Sequence, residues 1–420
     1  MHPKALLQQA AELLRAVLAF AQPADAVVSA HFRRQRALGA RDRHALAETV
    51  YAVLRRRLWL QHLAESGRGP LERRLVLAGW QGDARILQTA LEPHETQWLA
   101  SLPDAPPADA PDKLRHNLPD WLAGALQRQL DGAEFRSLAQ ALLEPAPLDL
   151  RVNIGKGKRD EVLRELVDLG IPVAATPYSP WGLRVAGRPA LQDTPAFRAG
   201  RFEVQDEGSQ LLAALLDPRR GEMVVDFCAG AGGKTLALGA LMRNTGRLYA
   251  FDTSGHRLDA MKPRVARSGL SNVHSVQIAH ERDDRVKRLA GKVDRVLVDA
   301  PCSGLGTLRR NPDLKWRQSP QAVAEMRKRQ LTILEAAATL VKPGGRLIYA
   351  TCSLLELENE DVAQSFERTH AAFEPVAALQ ALEQARIESA ADLVQGARLR
   401  LSPHRHGTDG FFAAVWQRKT

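Results

Sequence analysis

Regular alternation of strand-like and helix-like segments, which begins at about residue 200, is the feature that most constrains the fold. Five apolar segments with strand character are separated by segments with helical spacing; they read MVVDF, GRLYAFD, VHSVQIA, DRVLVDA and GRLIYATCS. This alternation predicts parallel strands joined by right-handed helical crossovers. We therefore expect an α/β domain over residues 201–420, with a doubly wound parallel sheet and a ligand crevice at the carboxyl ends of its strands.

The chain of 420 residues is long enough for further domains before this one. Residues 1–140 are rich in Ala, Leu, Arg and Gln, and their apolar spacing of three and four predicts an all-helical domain. Within it, the proline-rich stretch SLPDAPPADAPDK predicts a loop. Residues 146–200 read as strand, helix and strand, with Gly170 closing the helix. They predict a small α+β module.

Basic residues outnumber acidic ones, because 58 Lys and Arg stand against 48 Asp and Glu, for a net charge of +10. This balance suits a polyanionic partner such as nucleic acid. An arginine-rich composition with a merely solvated surface would produce the same balance. Charge alone therefore leaves both interpretations open.

The sequence carries no signal for a membrane, for secretion or for a metal. It has no run of about 18 apolar residues, and its N-terminus reads as an amphipathic helix rather than a signal peptide. Its three cysteines, Cys228, Cys302 and Cys352, form no C-x-x-C pair. We therefore expect a cytoplasmic monomer with free thiols, no metal site and no membrane segment.

The segment VVDFCAGAGGKTLAL reads as a strand, a glycine-rich turn and a helix, and its ligand can be interpreted in two ways. A P-loop requires G-x-x-x-x-G-K-[ST]. Gly233, Lys234 and Thr235 supply the last three positions, but Cys228 replaces the first glycine. A P-loop NTPase acting on RNA therefore fails at one position, although the strand that ends at Asp299 could serve as its Walker B strand.

A loop for an adenosine-type cofactor fits the same segment better. Asp226 lies at the end of the strand, and Gly230, Gly232 and Gly233 allow a ligand to approach the backbone closely. Asp252 ends the next strand, about 20 residues further on, where such folds place a carboxylate on ribose hydroxyls. The turn and the acid together indicate a nucleotide-type cofactor, but they do not distinguish NAD from S-adenosylmethionine.

Two of the cysteines lie where neighbouring strands end. Cys302 follows the fourth strand just beyond Asp299, and Cys352 ends the fifth. Adjacent strands are about 4.8 Å apart, and their carboxyl ends border the crevice. We therefore expect both thiols at one rim of the cofactor crevice, beside an acid.

These segments closely resemble the motifs of the RsmB/Sun-type RNA (cytosine-5) methyltransferases. DAPCSG with NPD downstream, and YATCS followed by ENE, are similar to the two signature motifs, and DFCAGAGGKT resembles the cofactor motif. VQDEGSQ and HGTDGFF resemble flanking motifs, so the resemblance covers residues 146–420. The helices before them resemble the NusB-type RNA-binding domain of RsmB itself.

The resemblance implies an architecture. It implies a Rossmann-like S-adenosylmethionine-dependent methyltransferase domain with a mostly parallel seven-stranded sheet over residues 201–420. A small α+β RNA-binding module over residues 146–200 and an all-α NusB-like RNA-binding domain over residues 1–140 would precede it.

The resemblance also implies catalytic roles for four residues. Carbon 5 of cytosine is a poor nucleophile, and a thiolate that adds to carbon 6 activates it. Cys352 would be this nucleophile, and Cys302 would assist breakdown of the covalent adduct. Asp299 would hydrogen-bond or protonate nitrogen 3 of the base, and Lys234 would orient Asp299 or lower the pKa of a thiol.

The implied cofactor is S-adenosyl-L-methionine. Family members usually carry an acid after the third strand, but QIAHERDD stands here, so His280 or Glu281 takes that place. The residues that we assign to cofactor binding are Asp226, Cys228, Ala229, Gly230, Gly232, Gly233, Lys234, Asp252, His280, Glu281 and Asp299.

The expected substrate is RNA, and the NusB-like beginning of the chain favours 16S ribosomal RNA. Transfer RNA is the alternative substrate for the same chemistry. A P-loop-type NTPase acting on RNA and a non-catalytic RNA-binding scaffold are the alternative functions. The scaffold is opposed because Asp299, Cys302 and Cys352 are all retained.

Overall fold

A computed structural model describes residues 1–420. The chain forms two compact units: one combines Met1–Pro145 with Thr307–Pro320, and the other combines Ala146–Gly306 with Gln321–Thr420. Each unit thus contains segments that are far apart in sequence. No helix in the chain combines the length and the apolar character that crossing a membrane requires.

The first unit is helical, as its apolar spacing predicts. Its helices before residue 146 are α1 (Pro3–Leu18), α2 (Ala24–Arg34), α3 (Ala40–Arg55), α4 (Arg57–Ala64), α5 (Leu71–Ala78), α6 (Ala84–Ala90), α7 (Pro93–Ala100), α8 (Asp112–His116), α9 (Asp120–Gln129) and α10 (Gly132–Leu142). Leu6 and Leu13 of α1 and Leu46 of α3 are fully buried in the core. The proline-rich stretch forms the predicted loop between α7 and α8.

The second unit begins with the small α+β module. Its elements are β1 (Leu148–Val152), α11 (Arg159–Asp168), β2 (Val173–Ala175), β3 (Gly182–Val185), α12 (Pro195–Arg198) and β4 (Phe202–Val204). The strands form an antiparallel sheet in the order β2-β3-β1-β4. Gly170, with φ of +74°, follows α11 in the left-handed conformation predicted for its end. β2 and β4 were not predicted, because three-residue strands carry too little alternation.

A nine-stranded sheet forms the rest of the second unit. Its strands are β5 (Met223–Asp226), β6 (Arg247–Asp252), β7 (Val273–Gln277), β8 (Val293–Asp299), β9 (Val341–Thr351), β10 (Phe373–Val376), β11 (Val394–Gln395), β12 (Arg398–Leu401) and β13 (Phe411–Arg418). The five predicted strands, β5 to β9, lie side by side and parallel in the order β7-β6-β5-β8-β9.

The remaining strands are antiparallel. β13 pairs with β9, and its other edge pairs with β12 in its first half and with β10 in its second half. The path β7-β6-β5-β8-β9-β13-β10 is the expected mostly parallel seven-stranded sheet. The β11–β12 hairpin extends it to nine strands.

Helices cover both faces of this sheet. They are α13 (Glu207–Leu216), α14 (Gly233–Leu241), α15 (Gly255–Ser268), α16 (Asp284–Lys287), α18 (Pro320–Ala338), α19 (Glu360–Thr369), α20 (Ala378–Gln384) and α21 (Pro403–His406). Val224 and Val225, neighbours on β5, are both fully buried, but they belong to two different apolar clusters. Alternate side chains of a strand point to opposite faces, so burial of both explains the continuous apolar runs in the sequence.

The segment Thr307–Pro320, which contains α17 (Leu314–Arg317), belongs to the helical unit. The Asp313 carboxylate accepts a hydrogen bond from the backbone N–H of Ala24 at 3.1 Å. Lys315 Nζ and Trp316 Nε1 donate to backbone carbonyls of α3, each at 2.8 Å. The sequence pattern did not predict this association, because it depends on contacts between residues more than 200 positions apart.

Candidate active site

A cavity of about 820 Å³ opens at the carboxyl ends of the parallel strands, as the fold predicts. Its lining includes a residue at or just beyond the end of each parallel strand: Asp226, Asp252, Ile278, Asp299 and Cys352. The volume is within the range of pockets that hold a cofactor-sized ligand.

The glycine-rich loop between β5 and α14 forms one wall. Cys228, Ala229, Gly230 and Gly233 line the cavity. Gly230 has φ of +55°, a conformation that glycine adopts without steric cost, and its N–H donates to Asp252 Oδ2 at 2.8 Å. At Gly230 the loop therefore presents backbone to the cavity.

Gly232, which was also assigned to cofactor binding, does not line the cavity. Its φ is +85°, and a Cβ atom there would lie 2.4 Å from the Sδ atom of Met261. Gly232 is therefore required because α15 packs against the turn. Its contribution is to the shape of the glycine-rich loop.

Two acids connect the loop to the sheet. Asp252 accepts hydrogen bonds from the N–H of Gly230 at 2.8 Å and of Ser254 at 2.7 Å. Asp226 Oδ2 accepts from the hydroxyl of Thr235 at 2.7 Å, while its Oδ1 is buried and has no hydrogen-bond partner within the protein. Burial raises the pKa of Asp226 to about 7. A buried acceptor with an open lone pair at the cavity wall suits a ligand that donates hydrogen bonds.

The two cysteines at the strand ends meet. β8 and β9 are parallel neighbours with Asp299 opposite Ala350, which confirms the predicted adjacency. The Sγ atoms of Cys302 and Cys352 are 3.4 Å apart, and both residues line the cavity. The hydrogen bond with Cys352, together with burial, holds the pKa of Cys302 well above its usual range. The site thus contains a pair of thiols in mutual contact.

Lys234 and Asp299 form an ion pair beside these thiols. Lys234 Nζ lies 2.7 Å from Asp299 Oδ2, and 5.7 Å from the centre of the Phe411 ring. Burial alone would lower the pKa of Lys234, but the charge and hydrogen bond of Asp299 raise it above its ordinary value. The ion pair therefore favours the charged form of Lys234 beside Asp299.

The third cysteine, Cys228, differs from the other two in its position. Cys228 lines the cavity, and burial raises its pKa well above the usual range, with the charges of nearby Asp299 acting in the same direction. A thiol in this state is a poor nucleophile. Cys228 therefore contributes to the wall of the cavity as a structural residue.

The structure separates the two candidates that follow β7. Glu281 lines the cavity and His280 does not. His280 Nδ1 instead accepts the N–H of Arg282 at 3.1 Å, within the turn. The sequence could not show which of the two side chains faces the cavity, because both follow the strand in irregular backbone.

Several cavity residues were not predicted from the sequence. They are Val204, Gln205, Ser209, Thr253, Ser254, Arg257, Arg264, Ile278, Met326, Arg329 and Ile333, together with Phe227, Ala231 and Ala300, which are neighbours of predicted residues. Gln205 and Ser209 belong to the VQDEGSQ motif, which was a usable signal. Met326 and Arg329 lie on α18, whose helical pattern carries no mark of the site.

These features define a Rossmann-like methyltransferase domain. They are a doubly wound sheet, a glycine-rich loop, an acid at the end of the second parallel strand, and the antiparallel strands β13 and β10. The family model described as "16S rRNA methyltransferase RsmB/F" matches residues 213–417. A second one, the ferredoxin-like domain of RsmF/B-like methyltransferases, matches residues 118–192. The chain belongs to the RsmB/F family of methyltransferases.

Individual relatives agree. The chain is 37% identical over 301 residues to the probable ribosomal RNA small subunit methyltransferase B of Synechocystis sp., and 32% identical over 304 residues to ribosomal RNA small subunit methyltransferase B of Serratia proteamaculans. Each alignment covers 71% of this chain and spans 66% of the relative's length.

Two solved structures share the fold. The crystal structure of PH0851 superposes with a TM-score of 0.80 at 26% identity, covering 100% of this chain and 99% of that one. A methyltransferase homolog protein from Pyrococcus horikoshii has a TM-score of 0.62 at 30% identity, covering 73% of this chain and 97% of that one.

Proposed function

We propose that this protein methylates carbon 5 of a cytosine in RNA, with S-adenosyl-L-methionine as methyl donor and a covalent Cys–cytosine adduct as intermediate. The observation that carries the proposal is the contact of two thiols, 3.4 Å apart, beside the Lys234–Asp299 pair in one cavity. Methylation of an exocyclic nitrogen would need no nucleophilic thiol. Methylation of carbon 5 needs one, because the ring must first be activated at carbon 6.

The cavity wall suits the proposed cofactor. Asp226 Oδ1 is a buried acceptor without a partner, as an ammonium group would require. Gly230 and Gly233 line the cavity and would admit a ligand close to the backbone, and Asp252 would accept ribose hydroxyls. Glu281 is our candidate for the adenine end. When bound, the cofactor supplies an electrophilic methyl group.

The chain's own residues account for the remaining chemistry. Cys352, having lost its thiol proton, would add to carbon 6 and form an S–C bond. The C5–C6 double bond moves to C4–C5, which leaves carbon 5 rich in electrons. Asp299, protonated at Oδ1, would donate this proton to nitrogen 3 of the base as the S–C bond forms, while Lys234 donates to its Oδ2. After carbon 5 has gained the methyl group, it must lose its proton while the S–C bond breaks. Cys302 would assist that release, and its contact with Cys352 supports this role.

RNA is the proposed substrate, and the small-subunit ribosomal RNA is the favoured one. The named relatives specify the small-subunit ribosomal RNA, and the net charge of +10 suits a polyanion. Transfer RNA would fit the same cavity. The target base must leave its stack to reach the thiols. We also propose that the helices of residues 1–140 bind RNA and that the protein acts as a cytoplasmic monomer.

Three measurements test the function. Bisulfite sequencing of total RNA with and without the gene should reveal one cytosine, in small-subunit ribosomal RNA, that loses protection when the gene is absent. The purified protein should transfer labelled methyl groups to that RNA, and Cys352→Ala should abolish transfer while the melting temperature stays unchanged. Equal activity of Cys352→Ala would overturn the nucleophile assignment. Stabilisation by ATP instead of S-adenosylmethionine would favour the NTPase.

A further inference from the structure

Both loops that carry the paired cysteines are bonded to one buried carboxylate. Glu358, which ends a 3-10 turn before α19, is completely buried. Ser303, the residue after Cys302, donates its N–H to Glu358 Oε1 at 2.8 Å and its hydroxyl to Oε2 at 2.5 Å. Ser353, the residue after Cys352, donates its hydroxyl to the same Oε2 at 2.5 Å. One carboxylate therefore joins the residues that follow both thiols.

A further donor completes the arrangement. Gln330 of α18 donates its side-chain amide to Glu358 Oε1 and to the carbonyl of Pro301, each at 3.0 Å. Pro301 immediately precedes Cys302, so the loop is bonded on both sides of its thiol. Glu358 does not line the cavity and cannot contact a substrate there.

We propose that Glu358 is a positioning residue that fixes the spacing of Cys302 and Cys352. This inference rests on the proposed function, in which release requires Cys302 to reach the base while Cys352 is still bonded to it. Hydrogen bonds to a buried carboxylate are stronger than neutral ones, because the low-dielectric surroundings do not screen them. The loops also share a direct contact between the Ser303 and Ser353 hydroxyls at 3.3 Å, and backbone bonds such as that of the Gly306 N–H to the Cys352 carbonyl at 2.8 Å. Glu358 accepts from both of these hydroxyls and from the Ser303 N–H, so it also holds the contact between the two serines.

Three variants separate the carboxylate's geometry from its charge. Glu358→Ala removes all four accepted bonds. Glu358→Gln keeps them, because its oxygen accepts from Ser303 N–H and Gln330 while its amide donates to the two serine hydroxyls. The double variant Ser303→Ala with Ser353→Ala keeps the carboxylate and removes the two hydroxyls, together with their mutual contact and the bond that Ser353 Oγ accepts from the Leu355 N–H. It carries the test if Glu358→Ala fails to fold.

The first experiment measures thiol spacing without RNA or cofactor. A phenyl-substituted trivalent arsenical condenses with two adjacent thiols, releasing water and forming two As–S bonds, and it binds single thiols weakly. Wild type and Glu358→Gln should bind it alike, whereas Glu358→Ala and the double serine variant should bind about tenfold more weakly or worse. Cys302→Ala, which lacks the pair, sets the background. Wild-type affinity in both Glu358→Ala and the double serine variant would overturn the proposal.

The second experiment measures what the spacing does in catalysis. In single turnovers, Glu358→Ala should slow adduct release relative to adduct formation by about tenfold, and Glu358→Gln should restore the ratio. Glu95→Ala is the matched control, because Glu95 is another buried carboxylate, paired with Arg73 in the helical unit. An equal ratio in wild type, Glu95→Ala and Glu358→Ala would refute positioning. If wild type forms no adduct, the proposed function fails, and the arsenical result still decides the role of Glu358.

Discussion

The buried ammonium group of Lys315 makes the stability of the helical unit depend on pH. Lys315 is 2% exposed, donates to the carbonyl of Arg55 at 2.8 Å, and lies 5.1 Å from the centre of the Trp316 ring. A carbonyl and a ring do not replace the hydration of a full charge. Burial therefore lowers the pKa of Lys315 from 10.5 to about 7.

The sign of the effect follows from proton binding. Between pH 7 and pH 10.5 the unfolded chain holds a proton on Lys315 that the folded chain lacks, so the free energy of unfolding rises with pH over this interval. The full shift corresponds to at most about 5 kcal/mol, and about 3 kcal/mol of it falls between pH 7 and pH 9.5.

Lys315→Met keeps the length of the side chain and removes the charge. The lost hydrogen bond to Arg55 should cost about 1–3 kcal/mol at every pH. The pH-dependent term should disappear, so the variant should gain on wild type by about 3 kcal/mol on going from pH 9.5 to pH 7. Urea unfolding followed by circular dichroism at several pH values measures this difference.

Lys328→Met is the matched control, because the Lys328 side chain is 71% exposed. It should leave the pH dependence of wild type unchanged. Stability curves for Lys315→Met and wild type that run parallel from pH 7 to pH 9.5 would refute the reasoning. They would mean that Lys315 stays charged in the folded unit.

Three further variants test other parts of the chain. Cys302→Ala should leave a covalent protein–RNA adduct that survives a denaturing gel, because adduct formation continues while release is impaired. Gly232→Ala should lower the free energy of unfolding by about 1–3 kcal/mol in urea, because its φ is +85° and the added Cβ would lie 2.4 Å from Met261. Arg34→Ala with Arg36→Ala removes two exposed cations and should reduce the slope of RNA affinity against salt by about 1 per arginine, measured by filter binding.

Each of these has a contrary outcome. If the Cys302→Ala enzyme turns over without any trapped adduct, Cys302 has no role in the release step. Unchanged stability of Gly232→Ala would show that α15 can move away from the loop. An unchanged salt slope for the arginine variant would argue that this surface does not contact phosphate, whereas deletion of residues 1–140 would confuse the test by stripping Lys315 of its partner.

Sequence alone determined the alternating strands and helices, because these depend on residues that are close together in the chain. Apolar runs of strand length alternate with helical spacing, and this alternation is enough to locate β5 to β9. Cys302 and Cys352 follow two of those strands directly, and parallel strands bring their carboxyl ends to one edge. The candidate thiols and the acid Asp299 could therefore be grouped from sequence alone.

Tertiary structure decided what depends on packing between distant segments. It chose Glu281 over His280 for the cavity, because the turn after β7 directs the two side chains differently. It placed Thr307–Pro320 in the helical unit, where Lys315 is buried and its ammonium group is desolvated. It also brought Glu358 under both cysteine loops, through bonds that span up to 55 positions of the chain. No local pattern encodes such contacts, because they form only when the sheet and its helices have closed around them.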